Sequence, residues 1–342
     1  MKSLEQLAEA GFVRRQDLAA LAPVAARYAI AVTDTVARLI DDPHDPVARQ
    51  FIPSTDELHA APEERADPIG DEAHSPVPGI VHRHRDRVLL KLVQVCPVYC
   101  RFCFRRETIG PGAESVLSDE AVENALAYIS SHSEIWEVIL TGGDPFVLSE
   151  RRIAEISRRL AAIAHVKIIR WHTRVPVVDP ARISDELVAA LIVPGATTYV
   201  ALHANHPREL TGEARAACAR LIDAGIPMLS QSVLLRGVND DIETLEALLR
   251  GFVEMRIKPY YLHHMDLAPG TAHFRVSIEQ GLKLMQALRA RCSGLCLPHY
   301  VIDIPGGHAK VTLESQNVLA LGRGRYRLRD HEGAWHQYPP EV

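Results

Sequence analysis

The apolar run Val88-Leu89-Leu90-Lys91-Leu92-Val93-Gln94-Val95 leads straight into Cys96-Pro97-Val98-Tyr99-Cys100-Arg101-Phe102-Cys103. Short, apolar and rich in branched side chains, the first segment reads as a buried strand, and it delivers three cysteines in C-x3-C-x2-C spacing at its C-terminal end. Working outward, the same texture recurs at Glu137–Thr141, Val166–Trp171, Thr198–Leu202, Met228–Leu234, Lys258–Leu262 and Tyr300–Ile304. Helical periodicity fills the intervals: Asp119–Ser131, Glu150–Ile163, Asp185–Ile192, Glu209–Asp223, Glu243–Met255 and Ile278–Arg291. Six or seven βα units in succession imply an α/β fold, a parallel sheet closed or partly closed into a barrel.

Upstream, Leu4–Ala10 and Arg14–Leu21 have helical spacing, and Ala25–Leu39 reads as a longer amphipathic run. Pro62–Pro78 is rich in proline and acids and reads as a loop or linker. The expected organisation is a helical and loop extension over 1–78, a partial barrel over 79–312 and a tail over 313–342.

Composition bounds the function. The 342 residues are 47% apolar and 24% charged, enough to bury a large core. A formal charge of −5 does not favour a general nucleic-acid binder. No run reaches the roughly 18 to 20 apolar residues of a membrane span. The N-terminus shows no apolar signal segment, so the expectation is a cytoplasmic protein without a membrane or nucleic-acid partner. Six cysteines are too sparse for a disulfide scaffold, and three of them cluster.

Three thiolates on one loop suit a soft metal. A structural zinc site wants four closed ligands, and here a distant His or Cys would have to supply the fourth. A [4Fe–4S] cluster held by three cysteines leaves one iron open to a ligand. Polar features collect after the other strands as well: Gly142-Gly143-Asp144-Pro145, His203, Asp266 and Lys310 follow strands, and Gln231 lies within one. In a β/α barrel that face is where sites assemble. In Asp303-Ile304-Pro305-Gly306-Gly307-His308-Ala309-Lys310, glycines allow close backbone approach to a ligand. The lysine is then either a Schiff-base partner for pyridoxal phosphate or the solvated end of a turn. The run His82-Arg83-His84-Arg85-Asp86-Arg87 is either a solvated face or a phosphate clamp. Either Arg105 or Arg106 could clamp a substrate carboxylate.

The cysteine trio following a strand resembles the signature of the radical S-adenosylmethionine enzymes. Together with the Pro-Gly-Gly-x-x-Lys segment it resembles, over residues 75 to 312, the lysine 2,3-aminomutase family. That resemblance implies a partial TIM-like (β/α) barrel of radical S-adenosylmethionine type with an N-terminal helical extension. It implies an isomerase that interconverts L-lysine and β-lysine using a [4Fe–4S] cluster, S-adenosylmethionine and pyridoxal phosphate, with a reducing electron donor as partner. By the family's motifs, Cys96, Cys100 and Cys103 would bind the cluster, and Lys310 would be the catalytic lysine that carries pyridoxal phosphate. Arg83 and Arg87 would hold the phosphate. Phe102, Gly142, Gly143, Asp144, His203 and Gln231 would contact S-adenosylmethionine. Arg105 would grip the substrate carboxylate, and Asp266 and Asp303 would recognise the ε-ammonium of lysine. Glutamate-specific relatives differ at those two acids.

The chain departs from the longer members, which carry a C-terminal zinc-binding cysteine cluster. It has no cysteine after Cys296, and His308 and Ala309 stand in place of two further glycines. Its shorter length resembles the bacterial subgroup that makes β-lysine to modify elongation factor P. The destination of the product, another amino acid as substrate and a homo-oligomeric assembly stay open.

Overall fold

A computed structural model describes residues 1–109, 116–313, 318–322, 325–329 and 334–338. Nine strands form one sheet in sequential order: β1 (Ile80–His84), β2 (Arg87–Val93), β3 (Glu137–Gly142), β4 (Ile168–Thr173), β5 (Thr197–His203), β6 (Met228–Val233), β7 (Lys258–His263), β8 (His299–Asp303) and β9 (Lys310–Thr312). Strands β2 to β8 are parallel throughout. Strand β1 pairs antiparallel with β2, and β9 antiparallel with β8. A sheet wound in one direction, with a helix after most strands, curls on itself. Here β1 and β9 remain its two edges, so the barrel is a half-barrel.

The crossover helices start where the sequence supplies a cap. Side chains of Ser118, Ser149, Ser184, Thr211, Asp241 and Ser277 each accept a hydrogen bond from the first helical turn. The helix Asp119–Ser131 buries Val122, Ala125, Leu126 and Ile129, one stripe at helical spacing. On β2, Val88, Leu90 and Leu92 are buried while Arg87, Leu89 and Lys91 alternate onto the other face. That alternation leaves the concave face polar.

The parallel strands and their helices match the expected runs to within two residues at each end, except that the run from Glu209 becomes helical only at Gly212. Four expectations need correction. The Ala25–Leu39 run is not one helix: a helix over Leu18–Arg27 contains Pro23 and ends as Tyr28 turns extended, and a short helix follows at Asp34–Ala37, capped by Thr33. Arg14–Leu21 divides into a 3₁₀ turn at Arg15–Asp17 and the start of that helix. The charged run before the first parallel strand is a hairpin, with β1 returning as β2. Strands Val318–Gly322, Arg325–Arg329 and Trp335–Tyr338 form a second, antiparallel sheet where a tail was expected.

One hydrophobic core runs from Leu4, Leu7, Val24 and Phe51 through the sheet to Tyr300, so the N-terminal helices pack on the half-barrel. Among the described residues no helix is long and apolar enough to cross a membrane.

Candidate active site

The cysteine loop is positioned by its neighbour strand. Gly143 N donates to Val93 O at 2.6 Å and Asp144 N to Val95 O at 2.9 Å, which zips the end of β3 to the backbone just before Cys96. A Cβ at Gly142 or Gly143 would overlap the Val93 or Val95 carbonyl oxygen, so close approach demands both glycines. The Asp144 carboxylate turns inward, accepting from Thr173 Oγ1 at 2.8 Å, Arg174 N at 2.7 Å and Phe146 N at 3.0 Å. Burial raises its pKa against those bonds. Of the Gly142-Gly143-Asp144 segment, the Gly143 and Asp144 amides and the carboxylate therefore serve the fold.

Two buried charge networks brace the same loop. Arg174 Nη1 donates to Cys100 Sγ at 3.0 Å, while its Nη2 meets Gln50 Oε1 and Glu209 Oε2 at 2.6 Å each. Glu57, on the N-terminal extension, takes Arg101 Nε at 2.9 Å and also the Arg106 guanidinium. Arg106 lies 3.6 Å from the centroid of the Tyr28 ring. These contacts separate the two arginines that follow the cysteines: Arg106 is structural, and Arg105 alone faces the chamber described below.

The three thiols suit a multi-iron cluster. Burial pushes all three pKa values up, Cys103 to about 11, and their mutual charges raise Cys96 further. They are thus within electrostatic reach of one another, and metal binding would displace their protons. Among the described residues no three His, Cys, Asp or Glu side chains converge on a single-ion position. In a cubane each sulfur takes its own iron, so three thiols on one loop would leave the fourth iron open. Beside the loop, Phe102 packs with Leu235, Val238, Met265 and Phe274, its ring 5.9 Å from that of His203. His203 and Gln231 are register partners on β5 and β6, and His203 Nε2 is buried with no partner. An apolar ring surface beside an orphaned polar nitrogen fits a nucleoside.

Across the chamber, Asp303 and Lys310 are register partners of the β8–β9 hairpin and form an ion pair. Lys310 Nζ also lies 3.4 Å from His263 Nδ1 and 5.5 Å from the centroid of the Tyr261 ring. Arg83, on the opposite edge strand, reaches to 3.7 Å from Asp303 Oδ1, so side chains bridge the two sheet edges. Asp266, in the loop after β7, has no hydrogen-bond or ion-pair partner for its carboxylate among the described residues. Burial, and then the charge of Asp303, push it up to about 7. The charges of Lys310 and Arg105 bear on both Asp266 and His172, which puts the lysine and the end of the cysteine loop on one chamber. Lys310 is thus enclosed and ion-paired rather than solvated. Arg87 is set apart: it sits at the other end of β2 from the cysteines and pairs with Asp86 at 2.8 Å. Its charge nonetheless lowers the Tyr261 pKa, which burial raises.

The expectation that Gly306 and Gly307 admit a ligand meets a different neighbour. Residues 62–78, expected as a linker, run as a strap along the chamber mouth. Gly70 packs so close that a Cβ would lie 2.6 Å from Gly306 C, and one on Gly307 would lie 2.8 Å from Ile69 O. Gly306 and Gly307 have φ of 89° and 78°, open to glycine at little cost. The strap also delivers Asp71, whose Oδ2 accepts from Arg105 Nε at 3.1 Å and Nη2 at 3.0 Å.

Sequence reasoning missed Asp71, His172, Arg174, Tyr261 and His263. Strand register offered a signal for two of them. His172 and His263 end β4 and β7, as His203 ends β5, and burial drives all three imidazoles toward the neutral form, His203 to about 3. Asp71 and Arg174 act across 34 and 74 residues of sequence, which local pattern does not report.

Known proteins resemble this arrangement. A model of the Radical SAM superfamily matches residues 90–249, and a Lysine-2,3-aminomutase model matches residues 285–341. The L-lysine 2,3-aminomutase of Acetoanaerobium sticklandii is 39% identical over 306 residues, covering 89% of this chain and 73% of that protein. The Escherichia coli L-lysine 2,3-aminomutase is 38% identical, with 80% of each chain covered. A glutamate 2,3-aminomutase of Clostridioides difficile is 35% identical, covering 91% of this chain and 73% of its own.

Proposed function

The chain belongs to the lysine 2,3-aminomutase family of radical S-adenosylmethionine enzymes, and from that premise we propose that this 2,3-aminomutase acts on L-lysine, interconverting it with β-lysine. Membership implies a [4Fe–4S] cluster, S-adenosylmethionine and pyridoxal phosphate. When bound, the cluster and S-adenosylmethionine supply carbon-radical chemistry, and pyridoxal phosphate supplies a ring that delocalises an unpaired electron.

The observation that carries the choice of lysine is the unpartnered Asp266 carboxylate, whose ionisation Asp303 opposes in the chamber that holds Lys310. Two acids at one wall are costly unless a cation joins them. The ε-ammonium of lysine supplies one, whereas the side-chain carboxylate of glutamate would be repelled. In this reading Cys96, Cys100 and Cys103 hold the cluster, and Lys310 holds pyridoxal phosphate by its amine. Arg83 and Arg87 take the phosphate. Phe102, His203, Gln231 and the Gly142–Gly143 backbone seat S-adenosylmethionine. Arg105 binds the α-carboxylate of the amino acid, setting its length along the line from the cysteine loop to Asp266. His172, His203 and His263 stay neutral, so they offer hydrogen bonds without repelling a cationic substrate. A cytoplasmic setting, where a reductant can supply the electron, is part of this reading.

The test is an anaerobic assay of the reconstituted protein on L-lysine, L-glutamate and other amino acids. Isomerisation of lysine to β-lysine in preference to glutamate is expected; turnover of glutamate in preference to lysine overturns the assignment. Whether the product feeds elongation factor P modification is read separately, by supplying β-lysine to cells that lack this chain.

A further inference from the structure

We propose that Asp71 is a positioning residue that presents Arg105 to the carboxylate of the amino-acid substrate, an inference that rests on the assignment of Arg105 above. One oxygen of Asp71 takes both Nε and Nη2 of Arg105, at 3.1 and 3.0 Å. Among the described residues Arg105 Nη1 makes no hydrogen bond, which leaves the outer Nη1–Nη2 edge of the guanidinium for a ligand. That edge matches a carboxylate in the plane of the fork. The side chain stem cannot swing, because Arg105 is held over the Phe104 ring, 4.3 Å from its centroid.

Asp71 is itself held from both flanks. Its backbone N–H and that of Glu72 donate to the two oxygens of Asp67 at 2.9 and 2.8 Å. On the other side Arg83 Nη1 donates to Ile69 O at 2.9 Å and Gly306 N to Pro68 O at 3.2 Å. Lys91, from the floor of the half-barrel, comes to 3.7 Å from the same Asp71 oxygen. The second oxygen, Oδ1, is buried with no partner. A side chain serving only local packing gains nothing from a buried, half-satisfied carboxylate. The arrangement makes sense when its purpose is the orientation of the arginine. Through it the strap, the cysteine loop and the floor strand meet at the point where the substrate's charged head would dock.

The test uses the full-length, anaerobically reconstituted protein and its Asp71→Asn and Asp71→Ala variants. Affinity is compared for L-lysine and for L-lysine α-amide, which lacks the carboxylate. Both variants are expected to raise KM for lysine about tenfold or more while leaving kcat nearly intact, with binding of the amide unchanged. Iron content and the pyridoxal absorbance should stay at wild-type values. Equal weakening of lysine and its amide, or of neither, overturns the proposal. Asp71→Asn keeps the shape but replaces one oxygen with an amide donor and removes the charge, so it carries the test should Asp71→Ala fail to fold. If the wild type turns over a different amino acid, the lysine assignment fails by itself, and the same comparison with that amino acid and its α-amide still decides the role of Asp71.

Discussion

The loop that carries the cysteines and the wall that carries Lys310 face one chamber but are built on opposite electrostatic plans. Around Cys96–Cys103 the strong charges are neutralised from within the fold: Glu57 by Arg101 and Arg106, and Arg174 by Glu209. At the lysine wall the account is left open. Among the described residues Asp266 has no hydrogen-bond partner for its carboxylate, and Asp303 Oδ1 and His172 Nε2 lack a hydrogen bond. A group that must keep three sulfurs at fixed spacing needs a rigid frame, and buried ion pairs that tie the loop to Glu57 and Glu209 provide it. A pocket that must accept a charged guest keeps groups whose partner is yet to arrive.

That contrast predicts opposite responses to removing an acid from each side. Glu57→Ala leaves two buried guanidiniums without their carboxylate, so loss of about 3–5 kcal/mol is expected in chemical denaturation of the metal-free protein. A loss under about 1 kcal/mol would show that the network is not the brace described. Asp266→Asn should do the reverse. A carboxyl lifted in the fold to about 7 from 3.8 holds its proton more tightly than in the unfolded chain. Folding stability is therefore full below about pH 4 and declines as pH rises toward 7. The Asn variant should lack that decline and be more stable than the parent at pH 8, while binding lysine about tenfold more weakly. The parent's KM for lysine should fall as pH rises through about 7, as Asp266 ionises; a flat profile would mean that Asp266 does not meet the ammonium.

The smallest expected effect sharpens the boundary between the two sides. Gly307→Ala forces a Cβ against the Ile69 carbonyl and the His74 ring at a φ of 78°. It should cost about 1 kcal/mol and speed proteolysis within residues 62–78, with iron content unchanged. Lost iron would mean that the strap supports the cysteine loop as well.

Much of this was legible in the sequence, for identifiable reasons. The parallel strands announced themselves by short branched runs, and the helices by their helical periodicity. The cysteine spacing and the Pro-Gly-Gly-x-x-Lys segment carried the chemistry of both walls. The edge strands β1 and β9 were hidden, one by its charges and the other by its three-residue length. Gly306 and Gly307 looked like a ligand cradle because conformational freedom is visible in sequence while the neighbour that exploits it is not. Asp71 escaped because nothing local distinguishes it from the other acids between Pro62 and Pro78.

One consequence follows from the meeting of Arg83, on the edge strand β1, with Asp303, on β8 next to the opposite edge. Backbone ladders do not respond to the ionisation of a ligand, but a clasp of opposite charges does. Lys310 shares that clasp, and an amine that is consumed by a carbonyl compound gives up its hold on Asp303. Under the proposed role of Lys310, loading the coenzyme would rewire the fastening of the half-barrel itself, and an empty protein and a filled one should differ in how tightly the wall is buttoned.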